Sequence, residues 1–116
     1  MTRALAIFLL SIAAAFAHAS DNECTKLAAR TNGPENNFRP PLEGTVVGSG
    51  NLNFYSAPND RCRMKGPSAA VGSYLTIYKP HENWVNVMYI QKGGKDIIGW
   101  APKDRVKIVG QYGRNP

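Results

Sequence analysis

From Gly44 onward the sequence allows no amphipathic helix longer than two turns, and this constrains the fold more than any other feature. Short runs of β-branched and aromatic residues are separated instead by Gly, Pro, Asn and Asp, the punctuation of a small all-β domain. The candidate strands are Thr45–Val47, Leu52–Ser56, Val71–Lys79, Trp84–Gln91, Lys95–Ala101 and Val106–Val109. Side chains alternate across a strand, so each run has two faces. Leu52 and Phe54 oppose Asn53 and Tyr55; Leu75 and Ile77 oppose Tyr74, Thr76 and Tyr78; Val85, Val87 and Tyr89 oppose Trp84, Asn86 and Met88. The stretch Gln91-Lys92-Gly93-Gly94-Lys95 reads as a hairpin loop, because adjacent glycines reach positive φ without steric cost.

The segment before this domain has two parts. Met1-Thr2-Arg3 is a short positive start, Ala4–Phe16 is uncharged and largely apolar, and Ala17-His18-Ala19 puts small residues where a signal peptidase needs them. This predicts a signal peptide over residues 1–19, cleaved before Ser20. The apolar stretch is shorter than the roughly 20 residues that span a bilayer, so no membrane span is expected in the mature chain. Residues 20–43 form a polar leader, in which Glu23–Arg30 suits a short helical turn with Leu27 as its one large apolar residue. Thr31-Asn32-Gly33-Pro34 and Arg39-Pro40-Pro41 then interrupt regular structure.

Cys24 and Cys62 are the two cysteines of the chain. In a small exported domain such a pair is most simply a disulfide, here tying the leader onto the strands. A metal site would need more ligands, since His81 is the one histidine left after cleavage. The whole chain carries a formal charge of +6, and Arg3 alone among its charged residues leaves with the signal. A basic surface favours anionic partners, although surplus lysine also serves solubility. Nucleic acid is not the expected partner of an exported chain.

Three stretches within residues 44–109 resemble the bacterial SH3-like domain family. Leu52-Asn53-Phe54-Tyr55-Ser56-Ala57-Pro58 resembles its opening motif, and Asn83-Trp84-Val85-Asn86-Val87 its central tryptophan strand. Gly99-Trp100-Ala101-Pro102-Lys103-Asp104-Arg105-Val106 resembles the strand, 3₁₀ turn and strand that close its barrel. The chain departs from the family with Tyr55 in place of an arginine, Ala57 in place of a glycine, and a disulfide-tied leader. Arg105 stands where eukaryotic relatives carry a groove tyrosine, so their recognition of proline helices does not transfer. The resemblance implies an SH3-like β-barrel of five to six short strands over 44–109, followed by a flexible tail over 110–116. Members of the family tether enzymes to peptidoglycan or serve as interaction modules.

Catalysis needs groups of matched pKa within hydrogen-bond reach. His81 falls in a turn, the cysteines are committed to a bridge, and Ser56 and Ser73 lack a nucleophile-elbow context. Asp60, Glu82, Asp96 and Asp104 fall near turns, where carboxylates commonly bond local N–H groups. The expectation is a binding module without cofactor, not an enzyme. Tyr55, Tyr78, Trp84, Met88 and Trp100 are expected on or near the outward faces, and Pro102 joins them through the closing motif. Exposed aromatics bury much area for little entropy lost, although Trp84 and Trp100 could instead pack against the leader. Arg61, Arg63 and Lys65 flank Cys62 in a long loop, Asn59–Ser68, and could face an anion or solvent.

The expected role is a periplasmic or secreted module that binds a cell-wall fragment, such as peptidoglycan peptide, or an envelope protein. The alternative is an inhibitor or immunity protein whose Asn59–Ser68 loop plugs a cell-wall hydrolase or lysozyme. The oligomeric state stays open.

Overall fold

The computed structural model describes residues 21–113; the expected signal peptide and its cleavage point lie outside the described residues. Helix α1 (Asp21–Thr31) is followed by strands β1 (Leu42–Val46), β2 (Leu52–Tyr55), β3 (Arg63–Ala69), β4 (Tyr74–His81), β5 (Trp84–Tyr89), β6 (Ile97–Pro102) and β7 (Val106–Gln111). Two 3₁₀ turns, Asp60–Cys62 and Lys103–Arg105, precede β3 and β7.

The strands form one antiparallel sheet in the order β3-β2-β6-β5-β4-β1-β7. Its edges, β3 and β7, do not pair with each other, so the expected barrel is not closed. The sheet nevertheless curls. In a flat sheet β1 and β2, four places apart in this order, would lie roughly 19 Å from each other at the usual strand spacing. Yet Val46 of β1 shares one core with Leu52 and Phe54 of β2, together with Leu75, Ile77, Val85, Val87 and Ala101. Phe54 and Ile77 are fully buried there, and each such side chain contributes about 1.5–3 kcal/mol of hydrophobic stabilisation. The alternation expected in β2, β4 and β5 thus places the anticipated faces inward.

The sheet has one strand more than the upper expected number. The extra strand is β3, which occupies most of the Asn59–Ser68 segment expected to be a loop. Its sequence is charged and carries Gly66 and Pro67, which disfavours a central strand but suits an edge, where one side of the backbone faces water. The sheet also runs from Leu42 to Gln111, wider than residues 44–109. At the end expected to be a flexible tail, Gly110 and Gln111 belong to β7, and the Tyr112 N–H donates to the Pro41 carbonyl at 3.0 Å.

Helix α1 extends beyond the expected short turn. Asp21 and Glu23 in its first turn and Arg30 in its last complement the helix dipole, and the Thr31 hydroxyl closes it by donating to the Leu27 carbonyl at 2.8 Å. At 11 residues the helix is below the ~12–15 that hold in water without support. Support comes from the Cys24–Cys62 disulfide, which is formed, and from Leu27 and Ala28 packing beside Ala57 and both cysteines. Among the described residues no helix is long and apolar enough to cross a membrane. The disulfide is consistent with an oxidising extracytoplasmic location.

Residues just after α1 lie over the outer face of the sheet. A register shift between Ile77 and Lys79 lets Lys79 pair with Asn86, which pairs in turn with Trp100. The bulge moves Lys79 out of the Leu75–Ile77 side and into a row with Asn86, Trp100 and, on β2, Tyr55. The Lys79 ammonium, itself buried, donates to the Thr31 carbonyl at 2.7 Å and the Gly33 carbonyl at 2.8 Å. Asn32, between those acceptors, borders the same hollow as Asn86 and Trp100.

Candidate functional site

The expected aromatic surface divides into three. Trp84 opens β5 opposite Pro102 on β6 and His81 on β4. It is half-buried, and its ring meets Tyr55 edge-on with centroids 4.9 Å apart. That contact fixes the indole and leaves part of it to solvent. Tyr78 and Met88 make a separate pair further along the sheet, joined by the Tyr78 hydroxyl and Met88 Sδ at 3.7 Å.

Trp100 departs from expectation. Its position alternates outward, yet it is 1% exposed and has no surface to offer a ligand. Lys79, bonded to the leader, lies in the same row, and Asn32 borders the hollow beside the ring. The His81 ring also meets it edge-on, at 6.1 Å. Trp100 is therefore buried and not outward, whereas Trp84 keeps part of its ring exposed.

Trp84 and Pro102 form the apolar surface of a groove of about 440 Å³, completed by Asp60, Asn83, Lys103 and Asp104. Each wall is held by a hydrogen bond to a backbone N–H. The Lys103 N–H donates to the Asn83 carbonyl at 2.7 Å, locking the β4–β5 turn onto the turn before β7. On the other side the Asn59 side chain accepts from the Arg61 N–H at 2.8 Å, which caps the turn carrying Asp60. Glu82, at φ 53°, makes the tight bend that delivers Asn83 and Trp84 to the rim.

Arg105 is occupied elsewhere. Its Nε donates to the Val47 carbonyl at 2.7 Å and its Nη2 to the Gly50 carbonyl at 2.6 Å, so it braces the β1–β2 loop. The groove's charged lining is two carboxylates, Asp60 and Asp104, against one ammonium, Lys103. Its own field is acidic, although the chain as a whole is basic. A ligand suited to it presents an apolar or ring-shaped face to Trp84 and Pro102, and an amine to the carboxylates.

Of the three expected anion-facing residues, Arg61 stands apart from the other two. Arg63 pairs with Tyr55 across the sheet and donates to the Asn53 side chain at 3.4 Å. Lys65 is exposed on the edge strand, while Arg61 turns toward α1. Arg61, in the 3₁₀ turn, is thereby parted from Arg63 and Lys65, which are two residues apart on β3 and share a face. His81 lies 3.9 Å from the Glu82 carboxylate. Among the described residues no three His, Cys, Asp or Glu side chains are grouped as metal ligands. No family model matches the chain, and no curated protein or solved structure matches it either.

Proposed function

We propose that the chain is an SH3-like binding module, not an enzyme, and that its Trp84 groove takes a cell-envelope component. The ligand of choice is a short peptide with a free amine, as peptidoglycan stem peptides or an exposed envelope-protein segment provide. The observation that carries this reading is the half-exposed Trp84, braced by Tyr55 beside Pro102 in a groove with an acidic rim. A braced indole loses little entropy on contact, and an adjacent carboxylate pair favours a cation over its face.

The SH3-like assignment has support of its own. The three motifs that suggested it come together in space, with Tyr55 against Trp84 and Trp84 paired with Pro102. The curled but open sheet is then a barrel of that kind left unclosed along β3 and β7. The alternative of an enzyme inhibitor is less well supported, because its plug was a protruding Asn59–Ser68 loop and most of that segment is strand β3.

Chemical-shift mapping with soluble wall stem peptides tests the reading. The Trp84 indole N–H and the amides of Asn83, Lys103 and Asp104 should move together on titration. Shifts confined to other surfaces, or none at millimolar peptide, would overturn it.

A further inference from the structure

The disulfide assembles a second surface that shares only the Asp60–Cys62 turn with the groove. Lys26 and Arg30 are four residues apart and so lie on one face of α1. The bridge from Cys24 to Cys62 sets α1 against the turn, and along one flank of that junction Lys26, Arg30 and Arg61 line a cleft of about 340 Å³. Glu23 and Asn59 complete its polar lining, and Leu27 lies beside Cys62 at its base. Even with Glu23 counted in full, positive charge exceeds negative by two.

Like charges four apart oppose helix formation, and Glu23, three residues before Lys26, offsets part of that repulsion while Arg61 adds a third positive charge. Arg61 cannot easily swing away at the backbone. Its N–H bonds the Asn59 side chain at 2.8 Å, and the next N–H, that of Cys62, bonds the Asn59 carbonyl at 3.0 Å. The fold therefore brings three exposed cations to the rim of one cleft.

We propose that this cleft binds a phosphate group, gripped by the Arg30 and Arg61 guanidinium forks with Lys26 as a point charge. Planar forks match a phosphate's oxygens two at a time, which an ammonium cannot do. The site depends on the bridge, because α1 is too short to keep its place alone. Reduction would carry Lys26 and Arg30 away from Arg61, making phosphate binding sensitive to redox state.

The probe is inorganic pyrophosphate, titrated into the labelled, oxidised protein. Shifts should concentrate at residues 26–30 and 59–62, and R30Q/R61Q should weaken binding at least tenfold. K107Q, which removes a cation from β7, and W84A should leave the affinity unchanged, so failure here is distinct from failure of the peptide groove. C24A/C62A should lose binding as R30Q/R61Q does. Vesicles of phosphatidylglycerol, set against phosphatidylcholine, then decide the source: retention that depends on Arg30 and Arg61 assigns the phosphate to a lipid headgroup, and its absence to a soluble or polymeric phosphate. An equal loss in K107Q would mean diffuse surface charge only and would overturn the proposal. So would undiminished binding by R30Q/R61Q.

Discussion

Removing the Cys24–Cys62 bridge by C24A/C62A should cost a large part of the stability without abolishing the sheet. The bridge closes a loop with a sequence separation of 38. On the chain-entropy estimate that constraint contributes about 4 kcal/mol at 25 °C. Domains of this size shift by about 4–8 °C per kcal/mol, so the thermal midpoint should fall by ~15–30 °C. The loss should also be uneven. The Leu52–Ile77–Val87 core does not involve the bridge, whereas α1 packs on the bridge itself. Circular dichroism should therefore show the helical signal lost at temperatures where the β signal persists, and amide exchange should accelerate first over residues 21–31. A fall of less than about 5 °C with α1 still protected would refute the reasoning. It would mean that the Lys79 bonds to Thr31 and Gly33 hold the leader unaided.

Three further outcomes follow from the packing. Trp100→Ala should destabilise by about 3–5 kcal/mol, as a buried aromatic truncation does, and chemical denaturation measures it; a cost under ~1 kcal/mol would show that the ring is not buried. Gly48→Ala should cost about 1–3 kcal/mol, because Gly48 has φ +100° and an added Cβ would lie 2.5 Å from Arg105 Nε; an unchanged melt would remove Arg105 as the brace of the β1–β2 loop. For an amine-bearing peptide at the groove, the association rate should fall as salt shortens the Debye length toward ~8 Å, while dissociation barely changes; surface-plasmon kinetics separate the two, and a strongly salt-dependent dissociation would assign retention to ion pairs instead of Trp84.

The inward faces were legible because alternation is local: Leu52, Phe54, Leu75, Ile77, Val85 and Val87 declare themselves within their own strands. The bridge was legible from cysteine number and context. Strand β3 was not, because Arg63–Ala69 contains a glycine, a proline and two cations, and an edge strand needs no apolar alternation. Its signal was that same composition, read as edge protection. The burial of Trp100 was not legible because the bulge at Lys79 breaks the parity of β4 and puts that side chain, bonded to residues 31 and 33, into the row of Trp100. Asp60, Asn83, Lys103 and Asp104 were not grouped with Trp84, since three separate turns deliver them. Lys26 and Arg30 likewise meet Arg61 across the junction that the bridge closes.

The central claim is that Trp84, and not the buried Trp100, carries recognition in a groove built for an amine-bearing peptide. Isothermal titration of one wall stem peptide into the native protein and into Trp84→Ala tests it most directly, with thermal midpoints recorded on the same samples. The account predicts a loss of about 2 kcal/mol, roughly thirtyfold in affinity, with the midpoint moved by no more than a few degrees. Equal affinity in the two proteins, both folded, would contradict it.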